Sequence, residues 1–243
     1  MSSRALSFGA VAEAYERFRP GYPPELFDLV TGYAGKPVRT ALEIGAGTGK
    51  ATRLFARPGI TVTATEPDPG MLAELRKHVP PKTKTVEAAF EDLPLDERYD
   101  LVYAAASLHW TRPETRWSRM AALLNPGGVF AAFGGPIDLA DPEVEEAVRA
   151  ARSPFLEDDD VPLPGADTRV SPSGRFTDLQ HHVIERRFTM TTHDYVGNLS
   201  TISAYLELPP PQRDQLFNRI TEVLPPTVAI KADITVDLAR LAP

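Results

Sequence analysis

The sequence predicts an α/β fold with a mostly parallel sheet. From Thr40 onward, short apolar runs of strand length alternate with helical segments, and the first run leads directly into a glycine-rich turn. Strands that alternate with helices pair in parallel through right-handed crossovers. The expected strands are residues 40–44, 61–66, 85–88, 100–104 and 128–133.

The N-terminal segment precedes this alternation and is predicted to be helical. Arg19-Pro20-Gly21 should end the helix, because proline lacks the N–H that a helix interior needs. A second helix can begin at Pro24. Four side chains follow the i, i+3, i+4, i+7 spacing of an amphipathic helix, and these are Val11, Ala14, Tyr15 and Phe18.

The regular alternation ends after Gly135. A helix is expected at residues 142–151, followed by a long segment at 153–172 that is rich in proline and acidic residues. Loops of this length are usually functional or disordered, so the segment is predicted to be either a lid over the site or a mobile loop. Its Glu157-Asp158-Asp159-Asp160 run has no histidine beside it and is interpreted as solvated surface, so no metal site is expected.

The C-terminal part is predicted to add two strands, at residues 183–190 and 229–238, with two helices between them. The second strand shows an apolar pattern of period two. The second helix is expected to begin at Pro211 and to end at Pro225-Pro226. Its apolar face consists of Leu216, Phe217, Ile220, Val223 and Leu224.

Composition limits the possible classes of function. The 243 residues suit one large α/β domain, and 42% hydrophobic and 24% charged residues are typical of a globular protein. A net charge of −7 argues against nucleic acid or an anionic membrane as the main partner. The absence of cysteine excludes disulfides, thiolate metal sites and cysteine nucleophiles. Residues 1–20 contain no signal peptide or membrane span, so a cytoplasmic location is expected.

The most informative stretch is Glu43-Ile44-Gly45-Ala46-Gly47-Thr48-Gly49, where a buried strand meets a glycine turn. Glycines let the backbone turn sharply and approach a ligand where a Cβ would collide. The spacing is GxGxG, unlike the GxGxxG of dinucleotide enzymes, and an acid precedes it. That carboxylate would repel a pyrophosphate and attract a ligand with a cationic amino group.

Glu66 ends the second expected strand, 17 residues after Gly49. An acid at this position can accept hydrogen bonds from both ribose hydroxyls of a nucleoside cofactor. The alternative is an acid that caps a helix or faces solvent.

Taken together, these motifs resemble the class I S-adenosylmethionine-dependent methyltransferases. The motifs occur in the family's order, over about residues 40–133. The resemblance implies a Rossmann-like fold, with a mostly parallel seven-stranded sheet, helices on both faces and a helical cap. The matching segments are Glu43 to Gly49, Glu66-Pro67-Asp68 with Met71-Leu72, Glu91-Asp92-Leu93-Pro94, Tyr99-Asp100-Leu101-Val102, and Leu124-Asn125-Pro126-Gly127-Gly128-Val129.

The family resemblance also implies a binding set for the cofactor, S-adenosylmethionine. Glu43 would hold its α-amino group and Glu66 its ribose hydroxyls, while Met71 would lie beside the adenine. Where relatives often place an acid against the adenine edge, this chain has Ala89-Phe90-Glu91. The full expected cofactor set is Glu43, Gly45, Ala46, Gly47, Gly49, Glu66, Pro67, Met71, Phe90, Glu91 and Ala105.

A looser resemblance is to small-molecule methyltransferases of the trans-aconitate methyltransferase type. It rests on Phe8, Ala12 and Tyr15 with residues 19–23, on Ser107-Leu108-His109-Trp110, and on residues 198–205. It implies a cap over the site and an oxygen acceptor, carboxylate or hydroxyl. The chain is expected to form a single domain, residues 1–243, with four parts. These are a helical cap (1–36), a cofactor-binding core (37–136), a helix with a flexible loop (137–180), and the last two strands with a helical insertion at 193–224 (181–243).

His109 is the candidate catalytic residue. It follows the fourth expected strand, at the sheet edge where α/β proteins bind ligands, and a neutral imidazole can act as general base. The alternative is that His109 bonds a neighbouring loop while Trp110 packs in the core. Tyr15, Arg19, His109 and Trp110 are the expected acceptor-binding residues, and further cations that nothing in the sequence ranks are Arg112, Arg116, Arg152, Arg175, Arg186 and Arg187.

The sequence therefore predicts a transferase that methylates a small molecule, with no nucleic acid or membrane as partner. Two alternatives remain open at this point, a non-catalytic protein that binds S-adenosylmethionine and a nicotinamide-dependent oxidoreductase. A macromolecule methyltransferase is less favoured, because the chain has no basic stripe. The sequence leaves the oligomeric state open.

Overall fold

The computed structural model describes residues 8–156 and 174–242. The acidic run at residues 157–160, and most of the expected lid or loop at 153–172, lie outside this part. Within it, the strands are β1 Thr40–Ile44, β2 Thr61–Thr65, β3 Lys84–Val86, β4 Tyr99–Ala105, β5 Leu124–Gly134, β6 Asp138–Leu139, β7 Phe176–Ile184, β8 Arg187–Thr191, β9 Thr227–Lys231 and β10 Ile234–Leu241. The helices are α1 Ala12–Phe18, α2 Pro24–Ala34, α3 Lys50–Phe55, α4 Pro69–His78, α5 Pro113–Ala122, α6 Pro142–Arg152, α7 Thr192–Leu199, α8 Ser203–Leu206 and α9 Pro210–Val223.

The main sheet has seven strands in the order β3-β2-β1-β4-β5-β10-β7. The first five are parallel, and β10 runs antiparallel to both of its neighbours. The order reverses between β1 and β4, so the loops after these strands diverge and leave a crevice at their carboxyl ends. The expected Rossmann-like α/β fold with a mostly parallel seven-stranded sheet is confirmed.

Apolar side chains cover both faces of this sheet, as expected when helices pack on both sides. One core includes Leu26, Phe55 and Tyr103 and lies beneath α2 and α3. The other includes Phe130 and Met120 and lies beneath α5. Most core strand residues are almost completely buried, so the sheet is a rigid platform for the loops at its edge.

Two expected single strands are each divided between two sheets. Residues 183–190 belong to β7 and β8, and residues 229–238 belong to β9 and β10. β7 pairs with β10 in the main sheet, whereas β8 and β9 join β6 in a second, three-stranded sheet. Asp233 fixes the bend, because its Oδ1 accepts a hydrogen bond of 3.1 Å from the Arg186 backbone N–H. The period-two pattern continues through the bend and therefore did not predict it.

The small sheet packs with α6, α7, α8 and α9 around a core of its own. Three helices, not the expected two, lie between β8 and β9. We call this unit, residues 137–156 and 187–231, the cap; it is distinct from the helical cap expected at residues 1–36, which we call the N-terminal segment. We call the bent strands β7–β8 and β9–β10 the ribbon. No helix in residues 8–156 or 174–242 is long and apolar enough to cross a membrane.

Candidate active site

The turn between β1 and α3 has the backbone that its glycines predict. Gly45 and Gly47 have φ angles of +64° and +57°, in the left-handed region that L side chains rarely adopt. A Cβ at Gly45 would also lie 2.7 Å from the Ser107 Cβ. Both glycines line a cleft at the carboxyl edge of the sheet. Gly49 does not line it; a Cβ there would collide with Val79, so Gly49 serves close packing.

Glu66 follows β2 and is held by backbone N–H groups. Its Oε2 accepts from Gly47 N at 2.8 Å and its Oε1 from Asp68 N at 2.9 Å. Burial raises the pKa of this carboxyl, and the two backbone hydrogen bonds oppose that increase. Each carboxylate oxygen has a second lone pair, so the side chain can accept two further hydroxyl donors from the cleft.

Glu43 is completely buried, and only one of its two carboxylate oxygens accepts hydrogen bonds from the described residues. Its Oε2 accepts from Thr52 Oγ1 at 2.5 Å and from the Tyr103 hydroxyl at 2.9 Å. Its Oε1 has no hydrogen-bond partner among the described residues. Burial raises the pKa of Glu43 to about 8, although the hydrogen bonds from the two hydroxyls act to lower that pKa. A buried, unpaired carboxylate oxygen is costly unless a ligand supplies a donor.

The cleft encloses about 1160 Å³ of empty space, counting the part open to solvent. Its walls come from the edge of the main sheet, from the N-terminal segment and from the cap. Expected site residues on these walls are Tyr15, Arg19, Gly45, Gly47, Glu66, Pro67, Met71, Phe90, Glu91, Ala105, His109 and Trp110. Residues on the walls that were not on the expected site list include Phe8, Thr111, Ile202 and Ser203.

The N-terminal segment is fixed across the cleft at both ends. The Gly9 backbone N–H donates to Asp68 Oδ2 at 3.1 Å, which fastens the segment to the start of α4. Arg19 Nε donates to Thr201 Oγ1 at 2.8 Å, which joins it to the cap. Next to the first attachment, the Phe8 ring makes edge contacts with the rings of Tyr15 and Trp110. The segment therefore links the core and the cap beside the cleft.

A second cavity, which we call the side cavity, adjoins the cleft and encloses about 730 Å³. The two share Tyr15, Arg19, Gly45, Gly47, Ala105 and Ala106. Glu43 and Ala46 line the side cavity but not the cleft. The ribbon contributes Arg186, Ala232 and Ile234 to its wall.

Ala106, directly after β4, lies where the cavities meet. Its φ of +52° places a non-glycine residue in the left-handed region, at a cost of roughly 1–2 kcal/mol. Its backbone N–H donates to the Phe133 carbonyl at 2.8 Å, so the neighbouring strand holds this conformation. Strained backbone of this kind is characteristic of ligand sites.

His109 and Trp110 lie on a single 3-10 turn, Leu108–Trp110, and both rings line the cleft. The ring centroids are 4.6 Å apart, and the imidazole has no hydrogen bond to the described residues. Partial removal from water, with a smaller contribution from the positive charge of Arg116, lowers the pKa of His109. The imidazole is therefore neutral around pH 7 and able to accept a proton.

At the end of the cleft where the family resemblance places the adenine, the polar groups of Phe90 and Glu91 already accept hydrogen bonds. Phe90 is buried, and its carbonyl accepts hydrogen bonds from the Arg119 guanidinium at 3.1 and 3.2 Å. Glu91 Oε1 accepts from the Arg112 backbone N–H at 2.7 Å. Met71 completes this end as an apolar neighbour of Gly47.

Comparison with known proteins identifies the family. Residues 42–132 match a family model described as a methyltransferase domain. An uncharacterized methyltransferase of Mycobacterium tuberculosis is 31% identical over 221 residues, which cover 90% of this chain and 86% of the relative. The chain belongs to the class I S-adenosylmethionine-dependent methyltransferases.

Two further comparisons extend this result. A solved structure from Anaeromyxobacter dehalogenans, described as a type II methyltransferase, superposes with a TM-score of 0.71 at 26% identity, over 93% of this chain and 99% of that one. A trans-aconitate 2-methyltransferase of Delftia acidovorans is 35% identical over 123 residues, covering 49% of this chain and 44% of the relative. The predicted enzyme class and cofactor are thereby confirmed, and a nicotinamide oxidoreductase is not supported.

The site of this methyltransferase fits S-adenosylmethionine. The orphaned Glu43 Oε1 suits a cationic amino group, and the anchored Glu66 carboxylate suits ribose hydroxyls. The glycine turn leaves open the space that a Cβ would enter. Within residues 8–156 and 174–242, no group of three histidine or acidic residues could hold a metal ion.

Sequence reasoning missed part of the site because its signals are not local. Ile202 and Ser203 come from the cap, whose position depends on the bend in the ribbon, and the sequence contained them only within the looser family motif at residues 198–205. Tyr103 and Thr52 support Glu43 from β4 and α3. Phe8 appears in the sequence analysis only as part of the looser family motif at the N-terminus, without a role in the site.

Proposed function

We propose that this methyltransferase transfers a methyl group to an oxygen atom of a small molecule. The observation that carries the proposal is the enclosure of the cleft between the N-terminal segment and the cap. A cleft bounded on these sides suits a compact acceptor better than a protein or nucleic acid surface. The net charge of −7 also disfavours a nucleic acid acceptor.

In this proposal the cofactor lies along the sheet edge. Glu43 binds its amino group, Glu66 binds its ribose hydroxyls, and Met71 and Phe90 flank its adenine. Ala46 lines the side cavity next to the turn, so its contribution is to the methionine end of the ligand. Gly49 contributes indirectly, through the packing of the turn.

S-adenosylmethionine supplies an electrophilic methyl group on sulfur, complete with its leaving group. The protein's task is to align an acceptor oxygen with the methyl carbon and to exclude water. Orientation of this kind can contribute on the order of 7–11 kcal/mol. Tyr15, Arg19 and Trp110 border the place where the acceptor would lie.

His109 is the proposed general base. Its neutral imidazole can take the proton of a hydroxyl acceptor while the oxygen–methyl bond forms and the methyl–sulfur bond breaks, leaving that electron pair on sulfur. A carboxylate acceptor is already deprotonated and needs no base, so His109 would then position the acceptor.

The test uses methyl-labelled S-adenosylmethionine with a panel of small carboxylic acids and alcohols. The panel includes trans-aconitate, because one relative is named for it. Label should appear in small molecules. Treatment with mild alkali distinguishes the two kinds of product, because methyl esters are hydrolysed and methyl ethers are not. The Gly47→Val variant, designed to block the cofactor site, is the control for background transfer. Label found only in protein, in nucleic acid or on nitrogen would overturn the proposal.

A further inference from the structure

The side cavity contains two arginines that have no acidic partner in residues 8–156 and 174–242. Arg19 and Arg186 both line it, and neither has a carboxylate oxygen within 4 Å among the described residues. Glu25 influences Arg186 only through longer-range charge interaction. Glu43 also lines the side cavity, and Glu16 is already paired with Lys50 and Arg53.

Most N–H groups of these two guanidinium side chains make no hydrogen bond within the part of the chain that the structure describes. The Arg186 Nη1 donates to the Gly21 carbonyl at 3.0 Å, which fixes the orientation of the side chain and leaves the other guanidinium N–H groups available. Arg19 directs two donors to Thr201. A guanidinium fork that is held in place by a backbone carbonyl is suited to bind a planar oxyanion.

Tyr22 adds a neutral donor to the same wall. Its ring packs edge-on against the Phe133 ring, with 5.2 Å between the ring centroids. Its hydroxyl has no hydrogen-bond partner among the described residues. Burial keeps the pKa of Tyr22 above its ordinary value, so the hydroxyl retains its proton. The cavity thus presents a guanidinium group held by a backbone carbonyl and a neutral tyrosine O–H donor.

The position of Arg186 separates its role from that of Arg19. Arg19 lines both the cleft and the side cavity, where it is near the methionine end of the cofactor, which brings a carboxylate of its own. Arg186 and Tyr22 line the side cavity alone. Glu43 and Ala46, which we assign to the methionine end of the cofactor, line the same cavity, so binding of the cofactor and of a second ligand has to be measured separately.

We propose that the side cavity anchors an anionic carboxylate group of the methyl acceptor on Arg186 and Tyr22. This inference rests on the proposed function, and it narrows the acceptor to small carboxylic acids. The anchored carboxylate would hold the acceptor while another oxygen, or the same group, faces the methyl carbon near Ala106. Removing the charge of Arg186 should cost the interaction of a charged hydrogen-bonded pair, about ten- to a hundredfold in affinity.

The experiment measures binding, so that it does not depend on turnover. Isothermal titration of the protein saturated with S-adenosylhomocysteine uses succinate, the half-amide succinamate and inorganic phosphate as probes. Succinate should bind most tightly, and Arg186→Gln should weaken it about tenfold or more while leaving S-adenosylhomocysteine affinity unchanged. Arg187→Gln is the matched control, because Arg187 is the next residue along the ribbon, is exposed and pairs with Asp233.

Tyr22→Phe provides a second variant that keeps the ring packing against Phe133 and removes only the hydroxyl. This variant should bind succinate severalfold more weakly than wild type. The proposal is overturned if succinate does not bind wild type, if phosphate binds more tightly than every carboxylate, or if Arg187→Gln loses as much as Arg186→Gln. It is also overturned if Arg186→Gln weakens the binding of S-adenosylhomocysteine, since Arg186 would then bind the cofactor's carboxylate. Failure of the proposed function itself would appear separately, as cofactor binding without transfer to any oxygen.

Discussion

Replacing Glu43 with glutamine tests the electrostatics of the cofactor's amino site. The pKa of the buried carboxyl is about 8, so only about a tenth of it is ionised at pH 7 and about a hundredth at pH 6. A cationic amino group binds the ionised form, and apparent affinity scales with the fraction of protein in that form. The affinity of wild type for S-adenosylmethionine should therefore rise about tenfold from pH 6 to pH 7.

The sign of this dependence follows from proton release. Binding favours the carboxylate, so at pH 7 each cofactor should displace about 0.9 of a proton from Glu43. The measurement stops near pH 7.3, because a free α-amino group loses its own proton at about 7.7–8.0. Titration calorimetry in two buffers of different ionisation enthalpy counts the protons directly. Glu43→Gln cannot ionise, so its affinity should be lower, nearly constant over this range and accompanied by no proton release.

Glu74→Gln is the control for loss of a remote carboxyl. Glu74 accepts hydrogen bonds from Lys77 and His78, which lower its pKa, so it is already ionised at pH 6. This variant should behave as wild type. A wild-type affinity that is flat from pH 6 to pH 7, or proton release that persists in Glu43→Gln, would refute the argument.

Three further predictions concern the cleft. Glu66→Ala should weaken S-adenosylmethionine binding about ten- to a hundredfold in calorimetry, and an analogue without both ribose hydroxyls should bind wild type and variant alike. Gly47→Val should abolish cofactor binding in the same assay, because the φ of +57° disfavours a branched residue that would also enter the cleft. His109→Ala should keep cofactor affinity and lose about a hundred- to ten-thousandfold in turnover on a hydroxyl acceptor. Because the pKa of His109 is lowered, wild-type turnover should fall only below about pH 6.5, and the variant should lack that limb.

Specific outcomes would contradict these expectations. A large gap between wild type and Glu66→Ala with the dideoxy analogue would assign another partner to Glu66. Folded Gly47→Val with unchanged affinity would show that the turn is not the cofactor site. Equal turnover of wild type and His109→Ala across pH 5 to 9 would assign a packing role to the imidazole.

The core of the fold could be predicted because its signals are local. β1 and β2 are buried runs whose bounds match the expected strands closely, and the glycine turn follows from residues that tolerate left-handed backbone. Glu43 and Glu66 could be selected because each adjoins that turn or ends a strand. Local pattern and tertiary structure agree at these positions.

The remainder depends on long-range contacts. Period-two apolar spacing reports which face of a strand is buried, and it does not report which sheet the strand joins, so the bend at Asp233 was missed. The left-handed Ala106 is imposed by the Phe133 carbonyl on a neighbouring strand. Arg186 could not be distinguished from the other arginines, because its position in the side cavity depends on that same bend.

The bent ribbon also determines how this enzyme could be recombined with its relatives. Residues 187–231 of the cap are joined to the core by two paired strands that continue from one sheet into the other, and a cut within either strand would leave backbone hydrogen bonds of its partner unpaired. A chimera that exchanges this part of the cap must therefore place both of its junctions at the bend, between Ile184 and Arg187 and between Lys231 and Ile234. A shift of one residue at a single junction would turn every side chain of that transplanted strand to the opposite face of the sheet. New acceptor specificity is thus more accessible through substitutions on the cavity walls than through exchange of the whole cap.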